Sequence, residues 1–104
     1  MTLDYLLFDT SEGSDGTGLF EAMAAVAPAH AAAVEAEIAQ VLAWAEAQFP
    51  GGRAPVEDGG DWDAELQVTD EADGGIARRV YTLSIGGSEA FCAAFAGRFG
   101  DALA

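Results

Sequence analysis

The sequence predicts an α+β fold, in which four antiparallel strands form one sheet and two helices cover one of its faces, in the order ββαββα. Three observations support this fold. Residues 28–49 have the apolar spacing of a long amphipathic helix, and residues 61–69 and 78–85 alternate apolar and polar side chains as half-buried strands do. Both halves of the chain also follow the same order of strand, acidic glycine-containing turn, strand and helix. An antiparallel sheet with both helices on one side is the simplest arrangement of that order.

The N-terminal half is predicted to begin with two strands. Residues 2–10 are rich in aromatic and aliphatic side chains and lead into a cluster of turn-forming residues with an Asp-Gly pair. Residues 19–26 have helical propensity, but a glycine-rich turn precedes them and Pro28 holds Ala27 out of the helical region. We therefore predict a second strand there. The alternative is a helix over residues 19–27, which would give the order βαββα.

The long helix at residues 28–49 has recognisable signals at both ends. Pro28 suits the first helical position, where its missing N–H needs no partner, and Pro50 with the two glycines after it ends the helix. The many alanines between these ends have the highest intrinsic helix propensity. Its apolar positions recur at steps of three and four and are Val34, Ile38, Val41, Leu42, Ala45 and Phe49.

The C-terminal half is predicted to form a hairpin followed by a helix. The apolar faces of its two strands are Trp62, Ala64, Leu66 and Val68 in the first and Tyr81, Leu83 and Ile85 in the second. These faces coincide only if even-numbered residues of the first strand oppose odd-numbered residues of the second, with a loop near residues 70–75. Ser88 is a good N-cap for the helix, and Gly100 ends it. Its phenylalanines, at positions 91, 95 and 99, form one face that is predicted to pack on the sheet.

Composition narrows the possible functions. The 104 residues are expected to form one domain, 1–104, and 51% hydrophobic residues exclude disorder of the whole chain. The net charge of −14 repels nucleic acid and anionic membrane surfaces, so neither is an expected partner. No apolar run is long enough to span a membrane and no secretory signal is visible, so a cytoplasmic location is expected. All four basic residues are arginines, which together with the alanine and glycine content is typical of a GC-rich bacterial genome.

The residue types needed for catalysis are scarce. Cys92 is the only cysteine and His30 the only histidine, so a disulfide, a thiolate metal cluster and a two-histidine metal site are all excluded. No serine or threonine stands in a known nucleophile motif. The acidic turns lack the spacing of a calcium loop. We therefore predict no cofactor and no metal, and the balance is against an enzyme. Cys92 is interpreted as a buried core thiol and His30 as a packing or surface residue.

Two functions remain. The first is a non-enzymatic interaction module whose acidic surface binds a protein partner, a basic one being its natural complement. Its predicted partner-binding residues are Glu57, Asp58, Asp61 and Asp63. The second is a small ligand-binding or enzyme domain with a pocket between sheet and helices, lined by Trp44, Trp62 and Tyr81 with His30 or an acidic residue at its rim.

A homodimer is also predicted. Helices on one side of the sheet leave the other side open, yet the first two strands have apolar side chains on both of their faces. An exposed apolar patch of this kind usually marks an interface. The predicted dimer residues are Leu6, Phe8, Leu19 and Met23.

Overall fold

The computed structural model describes residues 3–13 and 15–104. It contains four strands, β1 (Phe8–Glu12), β2 (Gly18–Val26), β3 (Trp62–Asp73) and β4 (Ile76–Gly87), and two helices, α1 (Ala31–Gln48) and α2 (Glu89–Phe99). The strands form one antiparallel sheet in the order β1-β2-β4-β3. The predicted α+β fold with the order ββαββα is therefore confirmed.

The second strand was the ambiguous element, and it is extended throughout Gly18–Val26. It pairs with β1 on one side and with β4 on the other, so the alternative helix over residues 19–27 is wrong. Ala27 has an extended backbone and Pro28 begins a short 3-10 turn, Pro28–His30, that leads into α1. The restriction that proline places on its predecessor therefore ends the strand where predicted.

The first strand begins later than predicted. Residues 3–7 are not part of the sheet, because the Glu37 carboxylate of α1 accepts hydrogen bonds from their backbone. The N–H groups of Asp4 and Tyr5 donate at 3.0 Å and that of Leu6 at 3.2 Å. A carboxylate from distant sequence thus replaces the neighbouring strand as the acceptor. Residue 2, where the predicted strand started, lies outside the described residues.

The β3–β4 hairpin has the predicted register, with Leu66 opposite Leu83. Its turn is Gly74-Gly75, and both glycines have positive φ, 58° and 83°. Two such residues form the tight turn that suits the twist of a hairpin. Because the turn is short, each strand reaches 12 residues and the tip of the hairpin extends into solvent.

The core lies between the helices and one face of the sheet. The predicted phenylalanine face of α2 packs there, with the Phe95 ring stacked on Phe20 at 4.1 Å and edge-on to Phe8 at 5.1 Å between ring centroids. Phe91 stacks on the fully buried Trp62 at 6.1 Å. The Ser88 hydroxyl caps the helix by accepting the Phe91 N–H at 3.2 Å. No helix in the described part of the chain is long and apolar enough to cross a membrane.

Phe95→Ala tests this packing. Phe95 is fully buried and contacts both N-terminal strands, so its truncation should lower the free energy of unfolding by about 3–5 kcal/mol in urea titrations. Ile76→Ala is the control, since Ile76 is 60% exposed, and it should change stability by less than about 0.5 kcal/mol. Equal losses in the two variants would contradict the placement of the core.

Candidate functional site

The four carboxylates of the predicted partner-binding stretch lie at one end of the sheet. Glu57 and Asp58 belong to a short 3-10 turn, Val56–Asp58, Asp61 precedes β3, and Asp63 is the second residue of β3. All four are exposed. The connector between α1 and β3 therefore presents its acidic residues to solvent, where a partner can reach them.

A groove of about 380 Å³ lies between this connector and the turn that joins β1 to β2. Three acidic residues line it, Asp15 from the β1–β2 turn and Glu57 and Asp63 from the connector and the start of β3. Its apolar lining includes Leu19 and Val56, which are 42% and 37% exposed. No arginine is among its lining residues in the part of the chain that the structure describes. We call this site the acidic groove.

Two of the predicted residues do not line the acidic groove. Asp58 lies on the same turn as Glu57 but is not part of the lining. The Asp61 carboxylate lies against Gly52, where a Cβ atom would overlap it, and the Asp61 backbone accepts the Ser88 N–H at 3.0 Å. Asp61 thus joins the connector to the start of α2. Asp15, by contrast, was missed, because it comes from the other half of the chain and only the fold brings it close.

The connector holds Glu57 on an ordered loop. Its backbone bonds include Asp58 N–H to Pro55 O at 2.9 Å and Ala54 N–H to Trp62 O at 2.9 Å. A glycine is required at position 60, since a Cβ there would overlap the Ala54 carbonyl. The loop geometry therefore depends on main-chain contacts, and charge changes in its side chains should leave it intact.

Local hydrogen bonds hold two of the carboxylates of the acidic groove. The hydroxyl of Thr17 donates to Asp15 at 2.6 Å and its N–H at 3.2 Å, and these bonds lower the pKa of the Asp15 carboxyl. Asp63 accepts the Ala64 N–H at 2.8 Å and pairs with the Arg53 guanidinium at 3.3 Å. Both members of that ion pair are about half exposed, so water screens it. The groove thus retains an excess of negative charge that a cationic side chain would neutralise.

The predicted dimer residues separate into two groups. Leu6 and Phe8 are 2% and 0% exposed and belong to the core. The prediction that these two residues form a dimer interface is therefore wrong. Leu19 and Met23 are 42% and 67% exposed on the face without helices. Because both faces of the first strand are apolar, the sequence alone did not show which set points inward. Leu7, between the two buried residues, is the one left exposed, at 56%.

The pocket predicted around Trp62 and Tyr81 does not form at those residues, which are fully buried in the core. A cleft of about 500 Å³ lies instead between α2 and the end of the β1–β2 pair. Cys92 and two carboxylates, Glu12 and Glu89, are among its lining residues. Cys92 is partly buried, and burial raises the pKa of its thiol. His30 is exposed and has its Nδ1 atom 3.3 Å from the Tyr5 hydroxyl, outside both sites.

The described residues contain no group of three or more histidine, cysteine or acidic side chains that could hold a metal ion. Comparisons of this chain with family models, with curated proteins and with solved structures find no match. The function must therefore be argued from the residues and geometry of this chain.

The Cys92 thiol should react slowly. A raised pKa leaves less thiolate at any given pH, and the thiolate is the nucleophile. We expect the folded protein at pH 8 to react with a disulfide reagent at least about tenfold more slowly than the same protein unfolded in guanidinium chloride. Equal rates for the folded and unfolded chains would contradict the raised pKa, and a faster reaction of the folded protein would show an activated thiol and favour a catalytic cleft.

Proposed function

We propose that this protein is a non-enzymatic interaction module that captures a basic segment of a partner protein in the acidic groove. One observation supports this most: carboxylates from two separate parts of the chain, Asp15 from one and Glu57 and Asp63 from the other, line one exposed groove together with Leu19 and Val56. A cytoplasmic location in a bacterium belongs to the same proposal and draws on the arginine-only basic residues and the single cysteine.

The chemistry of the groove suits lysine and arginine. Both side chains have an aliphatic stem that covers apolar surface and a charged head that stays in water or meets a carboxylate. In the groove the stem would lie on Leu19 and Val56 while the head approaches Glu57 or Asp63. The net charge of −14 adds a long-range field that raises the association rate of any basic partner. Asp58 and Asp61, beside the groove, contribute to that field.

A second candidate function is binding of a small ligand in the cleft beside Cys92. Its volume of about 500 Å³ falls within the range of small-molecule sites. Ionic strength separates the two functions, since salt screens a charge-steered protein partner strongly and a ligand enclosed in a cleft much less.

Charge neutralisation tests the acidic groove. Glu57→Gln with Asp63→Asn keeps the shape of both side chains, and the amide oxygen of the new asparagine can still accept the Ala64 N–H. A fluorescent peptide of alternating arginine and valine should bind this variant about five- to tenfold more weakly at ~50 mM salt, and the difference should shrink at ~300 mM.

The matched control is Glu46→Gln with Asp101→Asn, which removes the same charge from two exposed positions outside the groove. Its affinity should fall less than about twofold. If both variants lost affinity equally, net charge alone would attract the peptide. If the groove variant unfolded many degrees lower, its carboxylates would be structural. Either result would contradict the proposal.

The homodimer remains part of the proposal, through the open face of the sheet. Leu19 and Met23 of β2 are exposed there, and Leu7, just before β1, is also exposed. Light scattering at micromolar concentration should find a dimer for the natural chain and a monomer for Met23→Glu. Ile76→Glu, at the far hairpin tip, should stay dimeric. A natural chain that remains a monomer across tenfold dilution would exclude this interface.

A further inference from the structure

Strand β3 lies at one edge of the sheet, and only part of that edge is covered. At its start the Ala54 N–H donates to Trp62 O at 2.9 Å, and the Arg53 guanidinium donates to Ala64 O at 3.3 Å. The Ala64 N–H is taken by the Asp63 carboxylate at 2.8 Å. The outward-pointing backbone groups of this strand are therefore those of even-numbered residues, because the direction alternates along a strand.

These contacts cover the outer edge of β3 only as far as Ala64. In the described part of the chain no hydrogen bond from outside the sheet reaches the backbone of Leu66 or Val68. Their side chains point to the helix side of the sheet yet remain 43% and 47% exposed. The opposite edge differs, since the Ala104 N–H donates to Phe8 O at 2.8 Å and Leu103 forms a bridge with Phe8. The C-terminal residues thus cover the start of β1, whereas β3 leaves both backbone groups and apolar side chains uncovered beyond Ala64.

The open face of β3 is acidic. Four of its six odd-numbered residues are carboxylates, and these are Asp63, Glu65, Glu71 and Asp73. A strand added beside β3 would place its own alternate side chains along this row. Basic residues fit there, whereas apolar residues fit on the other face beside Leu66 and Val68.

We propose that an extended segment of a basic partner protein adds to the β3 edge as a fifth strand, with its basic and aliphatic residues alternating between the two faces. Strand addition of this kind draws affinity from main-chain hydrogen bonds and specificity from alternate side chains. The inference rests on the proposed function for the charge of the partner and adds how the partner is held. Asp63, which lines the acidic groove, is only three residues from Leu66, so one segment can reach both sites.

A second copy of this chain suits the edge poorly. Antiparallel self-pairing centred on Gln67 would place Asp63 of each copy directly opposite Glu71 of the other. Like charges in opposed positions destabilise a strand pair, and each copy has a net charge of −14. Charged edges of this type prevent self-association of a sheet. The acidic row therefore selects a basic segment over another copy.

Two isomeric peptides test the edge directly. Each has about nine residues of alternating arginine and valine, and one carries N-methyl groups on its valine amides while the other carries them on its arginine amides. Charge and side chains are identical. An antiparallel added strand turns its valine amides to β3, and a parallel one its arginine amides. One isomer should therefore bind within about threefold of the unmethylated peptide and the other at least about tenfold more weakly.

Equal affinity of the two isomers, whether high or low, would overturn strand addition. The proposed function would survive that result if the unmethylated peptide still bound and still lost affinity when Glu57 and Asp63 were neutralised. No binding of the unmethylated peptide at all would overturn both. The two failures are therefore distinguishable.

Two variants of the protein provide a second test. Val68→Asp and Thr69→Asp add the same charge at adjacent positions on opposite faces of β3. Strand addition predicts weaker binding of the unmethylated peptide, by about threefold or more, for Val68→Asp and no loss for Thr69→Asp. Attraction by charge alone would tighten binding in both variants. That outcome, with both proteins folded by circular dichroism, would contradict the inference.

Discussion

The stacking of Phe95 on Phe20 and against Phe8 is the contact on which the rest of the structure depends. It fixes α2 over the N-terminal strands, and Trp44 joins α1 to the same cluster through its contacts with Phe95 and Phe99. Both helices therefore lie on one face of the sheet. The other face and the outer edge of β3 are left to solvent, and the proposed dimer and partner-strand contacts lie on those uncovered surfaces.

Elements with a clear period could be predicted from the sequence. The alternation around Trp62 and Tyr81 predicted the register of the hairpin, since a slip of one residue would have put these two side chains on opposite faces and exposed one of them. The glycine-rich turn before residues 19–26 and the proline at position 28 together favoured a strand there. The inward face of the first strand could not be predicted, because Leu6, Leu7 and Phe8 are all apolar. Its true starting residue depends on Glu37, which binds the backbone of Asp4 from 33 positions away.

The candidate site was predictable only in part, for a similar reason. Glu57 and Asp63 could be found because acidic residues are dense near them in the sequence. Asp15 reaches the same groove from the turn between β1 and β2, and no local sequence signal predicts that it lies close to Glu57 and Asp63. The number of β3 residues with unpaired outward backbone groups likewise depends on the Arg53 guanidinium, which covers the edge of the strand only as far as Ala64. In the proposed function, charge would bring a basic segment to this end of the molecule, and the uncovered backbone of β3 would pair with it.

Residue-resolved amide exchange by NMR, with and without a saturating arginine-valine peptide, tests the central claim most directly. In the free protein the amides of Leu66 and Val68 face water and should exchange fast, while that of Gln67 faces β4 and should exchange slowly. Peptide binding should slow amide exchange at Leu66 and Val68 to the exchange rate of the Gln67 amide. If these two amides stayed fast while the peptide was bound, no partner strand would be paired with β3 and the account would be wrong.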